Sequence, residues 1–110
     1  MRRRPLAVAG SAVLALLAGV ASAADPARAS IDAKALFRAK CGVCHSQGGT
    51  GTFMLERRLG KGRGLLEGRR DLDRALILHV ARHGLQSMPR FSRAELPDSE
   101  LQVIADYLTK

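Results

Sequence analysis

Cys41, Cys44 and His45 are the residues whose types and spacing most directly suggest chemistry in this chain. In Cys41-Gly42-Val43-Cys44-His45 two thiols lie three positions apart and an imidazole follows the second. This spacing lets two cysteines form thioether bonds to the vinyl groups on adjacent sides of one porphyrin, with the histidine held beneath its iron. Three other chemistries use paired cysteines. A disulfide suits an oxidising compartment. A redox dithiol of the thioredoxin kind needs a βαβ setting. A structural zinc site needs four ligands, usually two pairs. The chain has only two cysteines, and its pattern is helical with no alternating strand run. Covalent attachment of one haem c is the reading these residues favour.

The N-terminus points to the compartment. Arg2-Arg3-Arg4 is basic, Leu6 to Val20 is apolar or small, and Ala21-Ser22-Ala23 supplies the small residues a signal peptidase reads. The sequence predicts a secretory leader over residues 1–23, cleaved after about Ala23, and a periplasmic domain over 24–110. The apolar run is short and alanine-rich beside the roughly 20 strongly apolar residues of a spanning helix. Losing Arg2, Arg3 and Arg4 lowers the formal net charge from +8 to +5. The remaining excess suits an acidic protein partner or an anionic surface. No stripe interleaves basic with aromatic residues, so nucleic acid is not expected. One tyrosine, three phenylalanines and no tryptophan make a thin core for a domain this small, which then needs a staple or a large cofactor.

Three helices must position the motif. Ser30 is read as the N-cap of a helix over Ile31–Lys40 that runs into Cys41, with Asp32 in its first turn. Ser46–Arg70, with seven glycines, reads as a loop holding at most a short helical turn near Phe53–Leu59. Leu65 and Leu66 are expected to tuck inward. Asp71 is read as the cap of a second helix carrying Leu72, Ala75, Leu76, His79, Val80 and His83 on one broad face, ended by Gly84. A loop containing Met88-Pro89 leads to a last helix over Asp98–Leu108, lined by Leu101, Ile104, Ala105 and Leu108.

With these features in place, Ile31–Lys110 resembles a class I c-type cytochrome. Phe37 leads into Cys41-x-x-Cys44-His45, a Met-Pro pair sits in a late loop, and the last helix closes on Tyr107-Leu108. The resemblance implies an all-α, small cytochrome c fold, with three main helices and loops wrapped around one covalently bound haem. It implies that the first and last helices cross, with Phe37 and Tyr107 as candidates for the contact. It also implies a methionine thioether opposite His45 on the iron, and such Met/His ligation raises the reduction potential. Met88 matches the family's Met-Pro loop in order and context, and Pro89 restricts its backbone. Met54 is read as haem packing, in keeping with methionine's role as a gap-filler. His79 and His83, one turn apart, are the remaining alternatives.

Two positions depart from the family pattern. Ala33 stands where a glycine usually marks the helix crossing. The stretch from Gly48 to Phe53 lacks the proline whose carbonyl commonly accepts a bond from the proximal histidine, so no partner fixing the His45 tautomer is identifiable. Arg57, Arg58, Lys61, Arg63, Arg69 and Arg70 are candidates for pairing with haem propionates or for solvated surface charge. Ser87, Arg90 and Gln47 are candidate contacts at a docking rim.

The function expected is periplasmic one-electron transfer by a single haem c, with no bond-making chemistry. The protein would serve redox partners such as a dehydrogenase, reductase or oxidase with an acidic docking surface, and would meet the membrane only transiently or through a partner. The alternatives are a dedicated electron-accepting subunit of a periplasmic dehydrogenase, or a haem-based enzyme or a gas or peroxide sensor whose sixth ligand is labile.

Overall fold

A computed structural model of the chain describes residues 31–110. The expected leader and its cleavage point lie outside the described residues. The order is α1 (Ala33–Lys40), α2 (Gly42–His45), α3 (Thr50–Leu59), α4 (Arg74–His83) and α5 (Asp98–Leu108). No strand forms among the described residues; Leu85 and Met88 make an isolated antiparallel bridge. The architecture is the all-α cytochrome c fold.

α1 begins later than the sequence suggests, because Asp32 is its cap. The Asp32 carboxylate accepts from the backbone N–H groups of Lys34 and Ala35 at 3.0 and 3.1 Å, satisfying donors that have no partner within the helix. Ile31 is therefore outside the helix, and Ser30 lies outside the described residues. α4 is shifted in the same sense. Asp73, whose Oδ1 accepts from Leu76 N at 2.8 Å, caps it. Asp71 is unavailable for that role because Arg63 and Arg69 close on its two oxygens at 2.7 and 2.8 Å.

The largest departure is α3. The segment read as loop contains a ten-residue helix, Thr50–Leu59, capped by Gly49. Thr50, Gly51 and Thr52 are poor helix formers, so local propensity argues against it. Packing decides: α3 lies against α2, and the buried Thr52 hydroxyl donates to Ser46 O at 2.8 Å.

α1 and α4 both pack on α5. α5 matches its sequence pattern, burying Leu101, Ile104, Ala105 and Leu108 together with Val103. Phe37, Leu96 and Ile104 are essentially inaccessible, and Leu66 packs against this cluster while Leu65 is half-buried. The Phe37 and Tyr107 rings meet at 6.0 Å between centroids, tilted by 44°, so the crossing forms with Ala33 in place of glycine. Tyr107 donates its hydroxyl proton to Glu67, which also faces Arg38 at 3.9 Å. Gly84 ends α4 at φ 76°, as its position in the sequence suggests.

Candidate functional site

α1 delivers the motif almost without interruption. Cys41 caps α1, its N–H donating to Phe37 O at 2.8 Å, and its own carbonyl accepts from Cys44 N and His45 N at 3.2 and 3.0 Å. Cys41, Cys44 and His45 therefore occupy one tight turn. Both cysteines are free thiols and half-buried. Burial, reinforced by the neighbouring Cys44, pushes the Cys41 thiol up to about 11. Among the described residues no group of three or more His, Cys, Asp or Glu side chains is placed to hold a metal ion, which leaves the zinc reading without its ligands.

His45 is held by packing. Its Nδ1 is buried and makes no hydrogen bond within the described structure. Burial also lowers its pKa, favouring the neutral imidazole that binds a metal. The N-terminal turn of α3 lies against the ring: a Cβ on Gly51 would come within 2.9 Å of His45 Cε1, 3.1 Å of its Nδ1 and 2.9 Å of Cys44 O. Only glycine allows this approach. The missing proline carbonyl is thus replaced by a steric wall.

Met88 sits in a two-residue turn. Leu85 N donates to Met88 O at 3.1 Å and Met88 N to Leu85 O at 2.9 Å, closing the chain around Gln86 and Ser87. Gln86 takes φ 54°, a left-handed conformation that glycine would adopt more readily. Gly84 supports the turn from below, since a Cβ there would lie 2.7 Å from Met88 O. Met88 is half-buried, whereas Met54 on α3 is more than half exposed.

Arg82 is a positioning residue that sequence reasoning missed. Its guanidinium donates to Phe91 O (3.2 Å), Ser92 O (3.4 Å), Leu96 O (2.8 Å) and Asp98 (2.7 Å), fixing the segment that follows Met88-Pro89. Phe91 N adds a bond to Ala81 O at 2.8 Å. Nothing in the local pattern marks this arginine, because its acceptors are loop carbonyls nine to fourteen positions away and a carboxylate sixteen away.

The loop cations divide. Arg63 and Arg69 are spent on Asp71, and the Arg57 guanidinium lies 5.8 Å from the Phe53 ring centroid. Arg57, Arg58, Lys61 and Arg70 are exposed at their positions around α3 and the following loop, as are Gln47, Ser87 and Arg90.

The donors of the motif suit an iron porphyrin: two thiols held in one turn and an imidazole whose burial favours the neutral form. The apolar surface agrees. Phe53, Met54, Leu76 and Leu85 are each more than half exposed, while only eight apolar side chains are buried among the described residues. Bulky groups left in solvent around so small a core are what an apolar cofactor would cover.

Residues 29–108 match the family described as cytochrome C oxidase, cbb3-type, subunit III. The chain belongs to this c-type cytochrome family. Comparisons with curated proteins and with solved structures gave no match. As a cytochrome c domain, the chain has haem c as its cofactor and haem-based electron transfer as its class of activity. No helix among the described residues is long and apolar enough to cross a membrane.

Proposed function

We propose that the chain is a periplasmic one-electron carrier with a single haem c, attached through Cys41 and Cys44 and ligated on its two faces by His45 and Met88. When bound, the haem supplies a reversible Fe(III)/Fe(II) couple. The protein's own part is to hold its two axial groups still. Gly51 and the buried setting orient the His45 ring. Gly84, the Leu85–Met88 bridge and Pro89 fix the Met88 backbone. An iron held from both sides presents no open position, which is why a carrier is favoured over an enzyme or a sensor. The observation that carries this reading is the closed turn around Gln86 and Ser87, which holds Met88 half-buried, whereas Met54 on α3 is more than half exposed.

The partner follows from charge and family. Arg57, Arg58 and Lys61 cluster at the end of α3, and Arg90 is exposed beyond Met88. A cationic face of this kind is complementary to an acidic docking surface. The family description names an oxidase subunit, which favours a terminal oxidase as acceptor over a reductase. Service as the electron-accepting subunit of a dehydrogenase uses the same surface and the same iron.

Absorption spectra of the haem-loaded protein test the ligand assignment. Met88→Ala should lose the thioether–iron charge-transfer band, become high-spin and bind carbon monoxide rapidly. Met54→Ala should keep the parent spectrum. The reverse result would place Met54 on the iron, and rapid carbon monoxide binding by the parent protein would favour the sensor or enzyme reading.

A further inference from the structure

Three arginines converge on one cleft beyond the Met88 turn. The last turn of α4 contributes Arg82 and His83, and the segment after Pro89 contributes Arg90, Phe91, Arg93 and Glu95. Its walls are fixed from within the chain. Phe91 N donates to Ala81 O at 2.8 Å, and the Arg82 guanidinium donates to the carbonyls of Phe91 and Ser92. His83 Nδ1 lies 2.9 Å from His79 O, and the His83 ring stacks on His79 with centroids 4.2 Å apart. A site held in this way loses little conformational freedom when a ligand enters.

The charges in this cleft do not balance. Arg82 and Arg93 share one carboxylate, Asp98, at 2.7 and 2.8 Å. Glu95 is turned onto Ser92, accepting from its N–H and hydroxyl at 2.9 and 2.7 Å. Arg90 is exposed and pairs with no acid among the described residues. Three guanidiniums therefore meet two carboxylates, and Arg90 is the excess. Arg93 reaches Asp98 through Nε, so both its terminal amino groups stay available on a side chain that is 75% exposed. Arg82 Nε is buried and has no acceptor within the described structure, a donor left over in a wall of the cleft. Guanidinium forks on a fixed backbone recognise carboxylate and phosphate oxygens. The cleft measures ≈ 680 Å³. That lies in the range of about 300–1,000 Å³ taken by organic ligands, so it is roomy for a bare ion. We propose that this cleft binds a small organic polyanion carrying two or more carboxylate or phosphate groups, with Arg90 and Arg93 as its charged contacts and half-buried Phe91 against its carbon body. Occupancy cancels the charge of Arg90, which belongs to the cationic face assigned above to an acidic partner. A bound polyanion would then compete with that partner. The competition rests on the docking role proposed above, whereas the binding does not.

The test is calorimetric titration of the haem-loaded protein with citrate and, separately, with fructose 1,6-bisphosphate, at an ionic strength held constant with NaCl. The expected result is one saturable site, and the tighter of the two probes identifies carboxylate or phosphate as the preferred group. Acetate, with a single carboxylate, should bind ~10-fold or more weakly, because it engages one fork instead of two. Arg90→Gln and Arg93→Gln should each weaken the tighter probe by ~10-fold or more, the loss expected of a charge-assisted contact. Arg90 makes no bond that the fold uses, so Arg90→Gln should keep the parent's melting temperature and haem spectrum. Arg58→Gln removes the same charge at the end of α3 and should change the affinity by less than about twofold, since salt screens distant exposed charges. No saturable binding of either probe overturns the proposal, as does full affinity in Arg90→Gln. An equal loss in Arg58→Gln overturns it too, because the attraction would then belong to the protein's overall charge and not to the cleft.

Discussion

At Gly51, what matters to the neighbouring imidazole is the absence of a side chain. Replacing a helical glycine by alanine ordinarily gains about 0.5–1 kcal/mol from reduced backbone freedom. Here the new methyl would meet Cys44 O and the His45 ring at 2.9 Å. Forcing a carbon into packed surroundings costs about 1–3 kcal/mol, so the clash should win. Gly51→Ala is expected to lower the denaturant midpoint of the loaded protein and the yield of haem-bearing chains. A raised midpoint would mean that α3 yields easily and that Gly51 does not position His45. The Cys41-x-x-Cys44-His45 motif and the family it signals were legible in the sequence, because the motif declares itself by type and spacing. The support of His45 was not. The Gly51 contact and the unpaired Nδ1 depend on a helix that local propensity does not favour.

Arg82 ties α4 to the loop that precedes α5 and to the first residue of α5. It is mostly buried, its side chain 14% exposed, and it satisfies carbonyls from Phe91, Ser92 and Leu96 while pairing with Asp98 at the start of α5. Hydrogen bonds to a charged group contribute about 1.5–3 kcal/mol each, and orphaned carbonyls add to the loss. Arg82→Ala should destabilise the protein by about 2–4 kcal/mol in urea melts. Arg82→Lys should recover only part of this, because an ammonium cannot fork to several acceptors at once. Equal stability of Arg82→Ala and the parent would remove the arginine from this role. Among the helices, α5 was readable because its apolar spacing and its packing agree. The starts of α1 and α4 were misplaced by about two residues because each has competing polar caps nearby. Asp32 caps α1, and Asp73 caps α4 while arginines claim Asp71. Those claims come from Arg63 and Arg69, which no capping rule takes into account.

Across the whole molecule, ion pairs knit the surface around a small core. Asp98 is held below the usual carboxylate range by Arg93 and then by Arg82, and Asp71 likewise, chiefly by Arg69. A carboxylate depressed on folding stabilises the native state fully above its unfolded value, about 3.9. That contribution is lost as pH falls through the folded value. The protein should therefore keep its stability from neutral pH down to about 4 and lose it progressively below that. Asp98→Asn should flatten this acid limb when unfolding is followed by circular dichroism. An unchanged acid limb in Asp98→Asn would assign the transition to other groups. The helical class was visible from periodicity, whereas the cytochrome c fold was visible only through the resemblance carried by Cys41-x-x-Cys44-His45, Met88-Pro89 and Tyr107-Leu108. The ion-pair mesh was not visible, since pairing between distant positions such as Arg74 and Asp106, 2.6 Å apart, is settled only when the chain closes.

The Arg82 anchor has a dynamic consequence. Native proteins open in cooperative units, and a unit is defined by the bonds its parts share. Ser92 O, Phe91 O and Leu96 O end on one guanidinium, and Phe91 N ends on the same helix at Ala81 O. The stretch from Phe91 to Asp98 therefore detaches as a single piece or stays docked. Amide hydrogens along it share one exchange threshold, distinct from that of the Met88 turn upstream, which is closed by its own Leu85–Met88 bonds.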